Sequence, residues 1–367
     1  MLKFVEDLLQ GAPVEWKTLG EILAYEQPAK YIVHSSKYKD YHPTPVLTAG
    51  QSFILGYTNE TDGIYDASPQ KPVIIFDDFT TSFHWVDFPF KVKSSAMKFL
   101  SPIDATSINF RFVFYAMCCI RREIIGHQRQ WIANFSMQNI PIPPLYVQEK
   151  IVEILDKFTE LEAELEAELE ARAKQYEYYR NKLLTFGEEV EWRTLEEVSE
   201  ISTGVSNRKD EVENDKYPLY VRSKNILRSD CYQFDETAII IPGEGGIGEI
   251  FHYAVGKYAL HQRAYRVHIH DEKLLDKFVF YYLVEHFKEY IVSISYNATV
   301  SSIRKPMLAE FLIPLPPLHV QEKIVSILDK FHTLTNSLTE GLPREITLRH
   351  KQYEYYRDQL LAFPRPQ

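Results

Sequence analysis

Side chains suited to contacting DNA occur in short clusters along this 367-residue chain. Amide, guanidinium and hydroxyl groups bond to base edges, and lysine and arginine contact phosphates. Three clusters in the first half supply the candidates Thr80, Thr81, Ser82, Lys91, Lys93, Ser94, Ser95, Lys98, His127, Gln128, Arg129 and Gln130. Four clusters in the second half supply Asn207, Arg208, Lys209, Arg222, Ser223, Lys224, Asn225, Arg228, His261, Gln262, Arg263, Tyr265, Asn297, Thr299, Ser301 and Ser302. Each residue alone is also typical of a solvated surface, so the prediction concerns the sets.

Two motifs that resemble catalytic signatures favour turns instead. Gly243, Gly245 and Gly248 match the pattern G-x-G-x-x-G, but the residues that follow alternate as strands do. A dinucleotide site needs a helix at that position to bind the pyrophosphate. Asp77 and Asp78 follow the strand-like segment VIIF, where short acidic side chains stabilise turns. We therefore predict neither a nucleotide site nor a metal site at these positions.

Motifs of DNA-modifying and ATP-driven enzymes are absent from the sequence. It contains no Asn/Asp-Pro-Pro-aromatic tetrapeptide of an adenine methyltransferase and no phosphate-binding loop of the form G-x-x-x-x-G-K-[S/T]. We therefore expect no catalytic residue and no cofactor in this chain.

Duplicated segments flank the clusters and must position them. Residues 141–158 match residues 314–331 at fifteen of eighteen positions. Residues 174–186 match residues 351–363 at ten of thirteen positions. Such close identity at two places predicts two equivalent supports within one chain.

The stretches between the duplicated segments differ from each other. A short repeat, VEWKTL and VEWRTL, opens each stretch, but residues 14–140 and 190–313 otherwise hardly match. This arrangement predicts two unlike recognition domains held at a fixed separation.

The first duplicated region predicts one long helix. Between Leu145 and Phe186 there is neither proline nor glycine, and the apolar residues are spaced by three and four. About forty helical residues span roughly 60 Å. The second copy has four extra residues around Gly341-Leu342-Pro343, which should break its helix. Because a globular domain separates the copies, we expect the two helices to run antiparallel and to pack as a coiled coil.

A tandem tetrad lies inside the first helix. Residues 161–172 read LEAE-LEAE-LEAR, which is a good helix-forming sequence of low complexity. Each tetrad adds about 6 Å of helix. We interpret this repeat as a possible length adjuster between the two domains.

The net charge of −10 is unevenly distributed. Residues 14–140 contain 12 basic and 12 acidic residues, and residues 190–313 contain 15 and 19, whereas residues 141–189 contain 6 and 12. The domains are therefore near neutral, and charged partner subunits should supply much of any phosphate contact. Near-neutral domains also suit an alternative, a two-headed scaffold that binds proteins and uses its helices as a spacer. Salt dependence of binding separates the two hypotheses.

The cysteines and the N-terminus indicate a reducing cytoplasm. Cys118, Cys119 and Cys231 have neither disulfide-framework nor zinc-site spacing. Glu6 and Asp7 interrupt the first apolar segment, so it predicts a short amphipathic helix and no signal peptide. No run of eighteen apolar residues is present, so no membrane span is expected.

The whole pattern resembles the specificity subunit of type I restriction-modification enzymes. The resemblance rests on the PLPPL-x-x-Q-x-x-IV-x-x-LD block, the QYEYYR-x-x-LL-x-F block and the VEW re-entry, each present twice around variable segments. It implies an α+β protein with two α/β target-recognition domains and two conserved helices in an antiparallel, pseudo-two-fold coiled coil. The implied order is an N-terminal helix (1–13), domain 1 (14–140), helix 1 (141–189), domain 2 (190–313) and helix 2 (314–367).

The resemblance also implies partners and a division of labour. The chain would bind double-stranded DNA and two methyltransferase subunits, while two restriction subunits remain an open possibility. S-adenosylmethionine would belong to the methyltransferase, and ATP with Mg²⁺ to the restriction subunit, in the cytoplasm of a prokaryote. Repeated polar positions on the helices are candidates for partner binding: Gln148, Glu149, Lys150, Lys157, Gln175, Arg180, Gln321, Glu322, Lys323, Lys330, Gln352 and Arg357.

Overall fold

The computed structural model describes residues 2–50, 52–120, 129–212, 216–294 and 302–365. The chain forms two compact units, Met1–Glu164 with Ile346–Gln367, and Leu165–Glu345. The candidates His127, Gln128, Asn297, Thr299 and Ser301 lie outside the described residues.

The first unit begins with a short helix and continues as a mixed sheet and helix domain. Its elements in chain order are α1 (Lys3–Leu9), β1 (Glu15–Thr18), α2 (Leu19–Ile22), β2 (Leu23–Glu26), β3 (Thr44–Leu47), β4 (Ile54–Thr58), β5 (Val73–Asp77), β6 (Phe83–Val86), β7 (Lys91–Val92), β8 (Met97–Pro102), α3 (Phe110–Cys118), α4 (Gln130–Ala133) and β9 (Asn139–Ile142). An antiparallel sheet has the order β2-β8-β5-β6, and a second sheet has the order β4-β3-β7 with β3 and β7 parallel. Helix α5 (Leu145–Leu183) follows and belongs to both units.

The second unit repeats this plan with different strands. Its further elements are β10 (Glu191–Thr194), α6 (Leu195–Val198), β11 (Ser199–Thr203), β12 (Tyr217–Tyr220), β13 (Leu227–Ser229), β14 (Phe234–Pro242), β15 (His252–Leu260), β16 (Ala264–Ile269), α7 (Asp276–Ile294), α8 (Lys305–Ala309), β17 (Leu312–Leu315) and α9 (Leu318–Asn336). Helix α10 (Gly341–Leu360), like α5, belongs to both units. One six-stranded sheet has the order β11-β16-β14-β15-β12-β13. Short 3-10 turns occur at Ala29–Tyr31, Phe135–Met137 and Arg208–Asp210.

The central strand of each domain is buried on both faces. In β5, Ile74 and Phe76 join one apolar cluster, while Val73 and Ile75 join another. Alternate residues of a strand point to opposite faces, so this strand has packed layers on both sides. Strand β14 divides its residues between two clusters in the same way.

In each domain, the strand that begins within the VEW repeat pairs with the strand that precedes the duplicated helix. Strand β1 pairs antiparallel with β9, placing Trp16 opposite Pro141. Strand β10 pairs with β17 in the same register, placing Trp192 opposite Pro314. The first and last strands of each domain are therefore paired side by side. The chain continues from the last strand directly into a duplicated helix.

The second duplicated region is interrupted as expected. Helix α9 ends at Asn336 and α10 begins at Gly341, whose φ is +78°. A Cβ at this glycine would lie 2.4 Å from the carbonyl oxygen of Thr333, so only glycine fits there without a rearrangement. The prediction that Gly341-Leu342-Pro343 breaks the helix is confirmed.

Aromatic contacts show which helices pack within each unit. In the first unit, Phe158 near the start of α5 stacks on Tyr356 near the end of α10, with ring centroids 5.6 Å apart. In the second unit, Tyr176 and Tyr179 near the end of α5 stack on Phe331 of α9. No helix among the described residues is long and apolar enough to cross a membrane.

A buried glutamine joins the first turn of each duplicated helix to its own domain. The Oε1 atom of Gln148 accepts from the NH of Asn109 at 2.9 Å, and its Nε2 donates to the carbonyl of Pro143 at 2.7 Å. Gln321 repeats the arrangement, accepting from the NH of Leu275 and donating to the carbonyl of Pro316. Both side chains are buried, so the expectation that they bind a partner subunit is wrong.

We predict that replacing Gln321 by Met lowers the free energy of unfolding of the second unit by about 2 kcal/mol, because buried backbone groups lose their partner. The matched control is Glu322→Met at the next, exposed position, which should change stability by less than about 0.5 kcal/mol. Urea unfolding followed by the fluorescence of Trp192, the tryptophan of this unit, measures both variants. Equal stability of the two variants would show that the amide is not a structural link.

Candidate functional site

In the second unit, the predicted polar stretches meet around the turn after β14. The NH of Gly243 donates to the carbonyl of Arg263 at 2.9 Å, and the NH of Ile303 donates to the carbonyl of Gly243 at 2.7 Å. The NH of His261 donates to the carbonyl of Tyr220, shortly before the Arg222 stretch. Backbone hydrogen bonds therefore join loops from separate parts of the sequence into one surface, which we call the Glu244 cluster.

Glu244 lies at the centre of this cluster and bonds to two arginines. Its carboxylate accepts from Nη1 of Arg222 at 2.7 Å and from Nη1 of Arg263 at 3.0 Å to each oxygen. Hydrogen bonds from Arg263 and Arg222 lower the pKa of Glu244 below its usual range, so the carboxylate is charged at neutral pH. The sequence analysis named both arginines but missed this acid, because a lone glutamate in a glycine-rich turn gives no signal of its position.

The Asn207 stretch joins the same cluster through side chains and backbone. The Nε2 atom of Gln262 donates to Oδ1 of Asn207 at 2.7 Å, and the NH of Gln262 donates to the carbonyl of Ser206. Arg208 and Lys209 are exposed in the adjacent 3-10 turn. The exposed candidates of this unit also include Ser223, Lys224, Asn225 and Arg228, while Ser302 and Asn207 are half-buried.

His261 and Tyr265 have internal roles in the cluster. His261 is buried, and its Nδ1 accepts from the NH of Arg263 at 3.0 Å. Burial lowers the pKa of His261, and the charges of Arg222 and Arg263 lower it further, so Nδ1 remains an acceptor at neutral pH. The hydroxyl of Tyr265 donates to the carbonyl of Ile303 at 3.2 Å. The expectation that His261 reaches DNA from an exposed position is wrong, since it supports the loop from inside.

The glycine motif forms a turn, as its sequence context predicts. Residues 243–251 connect the antiparallel strands β14 and β15, and a strand rather than a helix follows. Gly245, Gly246 and Gly248 have φ between +68° and +72°, which L-residues rarely adopt. These glycines shape the turn that carries Glu244.

In the first unit, three predicted stretches meet at Asp78. Its backbone NH donates to the carbonyl of Ala96, and its carbonyl accepts from the NH of Gln130. Its Oδ1 accepts from the NH of Trp131 at 3.0 Å. The neighbouring Asp77 accepts through Oδ1 from two NH groups of the turn at residues 79 and 80, each at 2.8 Å. Both carboxylates are therefore engaged in holding loops, as a turn assignment predicts.

Several predicted DNA contacts of this unit are buried. Lys98 is fully buried, with Nζ 3.3 Å from Oδ2 of Asp78. Lys91 is also buried, with Nζ 2.7 Å from Oε2 of Glu60 and donating to the carbonyl of Asp62. The polar groups of Thr81 and Gln130 lie inside as well. For these four residues, the expectation of an exposed phosphate or base contact is wrong, because all four are buried and the two lysines are paired with internal acids.

The exposed candidates of the first unit surround the buried acid. Thr80, Lys93, Ser94, Ser95 and Arg129 are exposed, and Ser82 is half-buried. These loops, joined by hydrogen bonds to the buried Asp78, therefore expose hydroxyl, ammonium and guanidinium groups. We call this surface the Asp78 cluster.

One group of side chains has the composition of a metal site. A nitrogen of His34 and carboxylate oxygens of Glu60 and Asp62 lie within 4.8 Å of one another. Glu60 already accepts from Lys91 and from the NH groups of His34 and Ser35. Its charge is therefore balanced inside the chain, and the group does not resemble a prepared cation site.

Apart from the two buried glutamines, the repeated polar positions on the helices either contact a neighbouring side chain or are exposed. Arg180 is half-buried against Glu285, and Arg357 is half-buried against Asp358. Gln175 and Gln352 each accept from an arginine three residues away. The other six candidates are exposed: Glu149, Lys150, Lys157, Glu322, Lys323 and Lys330.

A repeated pair of exposed tyrosines was missed by the sequence analysis. Tyr178 and Tyr179 pack edge to face with centroids 5.4 Å apart, and Tyr355 and Tyr356 do so at the same distance. Tyr178 and Tyr355 are 59% and 60% exposed. The apolar spacing of three and four includes Tyr179 and Tyr356 in the packed seam but assigns no role to Tyr178 and Tyr355.

Comparisons with known proteins agree with this geometry. The family described as "Type I restriction modification DNA specificity domain" matches the chain twice, at residues 13–174 and 187–348. The specificity subunit of the type I restriction enzyme EcoR124I/EcoR124II of Escherichia coli is 44% identical over 398 aligned positions, covering 100% of this chain and 98% of the relative. A putative type I restriction enzyme specificity subunit of Haemophilus influenzae is 32% identical, with 98% of each chain covered.

Two solved structures share the fold. The S subunit of a type I restriction-modification system from M. genitalium superposes with a TM-score of 0.61 at 15% identity and 97% coverage of each chain. A chain from a structure of a type I restriction-modification complex gives a TM-score of 0.55 at 16% identity, covering 95% of this chain and 98% of that one. The twofold family match over most of the chain, with a relative that is similar from end to end, establishes that the protein belongs to the type I restriction-modification specificity subunit family.

Proposed function

We propose that this specificity subunit reads a split, asymmetric DNA target, with each recognition domain contacting one half-site. The observation that carries the proposal is the convergence of predicted polar stretches on one surface in each unit, the Asp78 cluster and the Glu244 cluster. The two surfaces differ in residues and strand order. Unlike surfaces imply unlike half-sites, in contrast to the palindromes that symmetric dimers read.

The helices would act as the spacer of the complex. Contacts between the start of α5 and the end of α10, and between the end of α5 and α9, support an antiparallel coiled coil. Approximate two-fold symmetry is supported by two features that recur in both domains. These are the buried glutamine that bonds the domain to its helix, and the antiparallel pairs β1–β9 and β10–β17. The coil would thus fix the gap between the half-sites.

Two methyltransferase subunits would dock on the duplicated helix faces. The exposed tyrosine pairs occur in equivalent positions of the two repeats, with equivalent geometry. The exposed charged residues in the second turns, such as Lys150 and Lys323, are equivalent as well. Exposed tyrosines are enriched at the centres of protein interfaces.

The chain itself would contribute recognition and no catalysis. The complex would methylate adenine at N6 with S-adenosylmethionine held by the methyltransferase subunits, after extruding the base from the duplex. Restriction subunits, where present, would use ATP and Mg²⁺. We place this activity on DNA in the cytoplasm of a prokaryote. Membership of the specificity family disfavours the protein-binding scaffold.

The proposal predicts a chain-dependent methylation pattern. Cells that express this chain with its methyltransferase subunit should carry methylated adenines in one split motif, and the motif should disappear when the chain is removed. A genome-wide map of methylated adenines measures this and reveals both half-sites. Assembly of the complex without any chain-dependent methylation would contradict the proposal.

We predict that deleting residues 165–168, one LEAE tetrad, shortens the preferred gap by about two base pairs, because four helical residues span about 6 Å and each base pair rises about 3.4 Å. Both half-site sequences should be unchanged in the methylation map. The matched control is Glu164→Gln with Glu166→Gln, which removes charge and retains length. A changed half-site sequence would refute the role of the helix as a spacer.

We predict that Tyr178→Ala with Tyr355→Ala weakens binding of both methyltransferase subunits, whereas each single variant weakens binding of one of the two. Truncating a central interface tyrosine costs about 2 kcal/mol or more, which weakens binding at least tenfold. Sedimentation of the purified subunits counts the partners bound. The control is Tyr41→Ala in the first domain, 76% exposed and away from the repeats. Full assembly of the double variant would rule out this docking face.

A further inference from the structure

The two arginines at the Glu244 cluster are held in one orientation by a shared carboxylate. Arg222 follows β12, Arg263 lies between β15 and β16, and Glu244 lies in the turn after β14. One carboxylate therefore fixes guanidinium groups that come from separate loops. The pair carries two positive charges against one negative charge, so the surface keeps a net positive charge.

Both arginines retain a free hydrogen-bonding edge. Each uses only Nη1 to bond Glu244. Within the described part of the chain, Nε and Nη2 of both residues form no hydrogen bond, and the side chains are 46% and 57% exposed. Two parallel NH groups on one guanidinium edge match the O6 and N7 acceptors of guanine in the major groove.

The backbone around the arginines is fixed as well. The NH of Arg263 is bonded to Nδ1 of buried His261, and its carbonyl accepts from the NH of Gly243. A Cβ at Gly243 would lie 2.9 Å from that carbonyl oxygen, so the turn and the loop are in direct contact. A side chain that is held before binding loses less conformational freedom when it bonds a base.

We propose that Glu244 is a positioning residue that aims Arg222 and Arg263 at two guanines in the half-site read by the second domain. The inference rests on the proposed function and adds the bases and the mechanism of selection. The negative charge of Glu244 also weakens the attraction of the two arginines for phosphate groups. That attraction does not depend on the base sequence. Glu244 itself does not contact DNA in this mechanism.

The test compares variants of the assembled complex on duplexes in which each base pair of the second half-site is changed in turn. Arg263→Ala and Arg222→Ala should each abolish the preference for guanine at one position, a loss of about tenfold or more in discrimination. Glu244→Gln should reduce the preference at both positions, and Glu244→Asp, which retains the charge, should restore part of it. The first half-site should be read normally by every variant.

Glu249→Gln is the matched control, because Glu249 lies in the same turn and pairs with Lys288 of α7 at 2.6 Å instead of with an arginine of the cluster. It should leave base preference unchanged. Equal urea midpoints for all variants confirm that folding is retained. Uniform weakening on every sequence, with a smaller salt dependence, would overturn the inference by showing phosphate contacts. A second half-site without guanine on either strand would also overturn it, whereas a wild-type complex without sequence preference would refute the proposed function itself.

Discussion

Each recognition domain depends on a buried amide that joins it to a duplicated helix. Gln148 and Gln321 bond backbone groups on both sides of the junction between domain and helix, in the first turn after the double proline. Asp156 and Asp329, two turns further on, accept from the buried tyrosines Tyr115 and Tyr281. Because buried polar groups are costly when unpaired, these links fix the helix against the domain. Under the proposed function, a domain fixed in this way makes the position of its DNA-reading loops depend on the length of the helix.

The same constraint explains why so much of the helix surface is duplicated. Identity at outward positions first suggests partner binding, but part of it serves the domain itself. Gln148 and Asp156, with their counterparts, face their own domain, while Tyr178 and its counterpart Tyr355 remain exposed. The duplication therefore serves a common junction for unlike domains and, under the proposed function, a common docking surface for two methyltransferase subunits.

In both domains an acid organises the loops. Asp78 is buried and bonds the backbone of neighbouring loops and the ammonium of Lys98. Glu244 is partly exposed and bonds side chains that reach solvent. The two acids therefore differ in role: Asp78 stabilises loop positions from the interior, and Glu244 has the proposed role of orienting two arginines at the surface.

The sequence predicted the repeated helices, the helix break at Gly341 and the glycine turn, because these features depend on local residue types and spacing. It also selected loop stretches that the structure brings together. It misjudged Lys91 and Lys98, since lysine is rarely buried and its ion pairs with Glu60 and Asp78 join residues far apart in the sequence. The exposed position of Tyr178 was also missed, because this residue falls outside the apolar spacing that predicts the packed seam.

Independent reading of two half-sites by two domains is the central claim, and binding to four duplexes tests it most directly. One duplex contains both half-sites, two have one half-site scrambled, and one has both scrambled. The assembled complex should lose affinity with either scrambled half, the two losses in free energy should add, and the salt dependence should stay similar because phosphate contacts remain. Equal affinity for all four duplexes, or a loss confined to one half-site, would contradict the account.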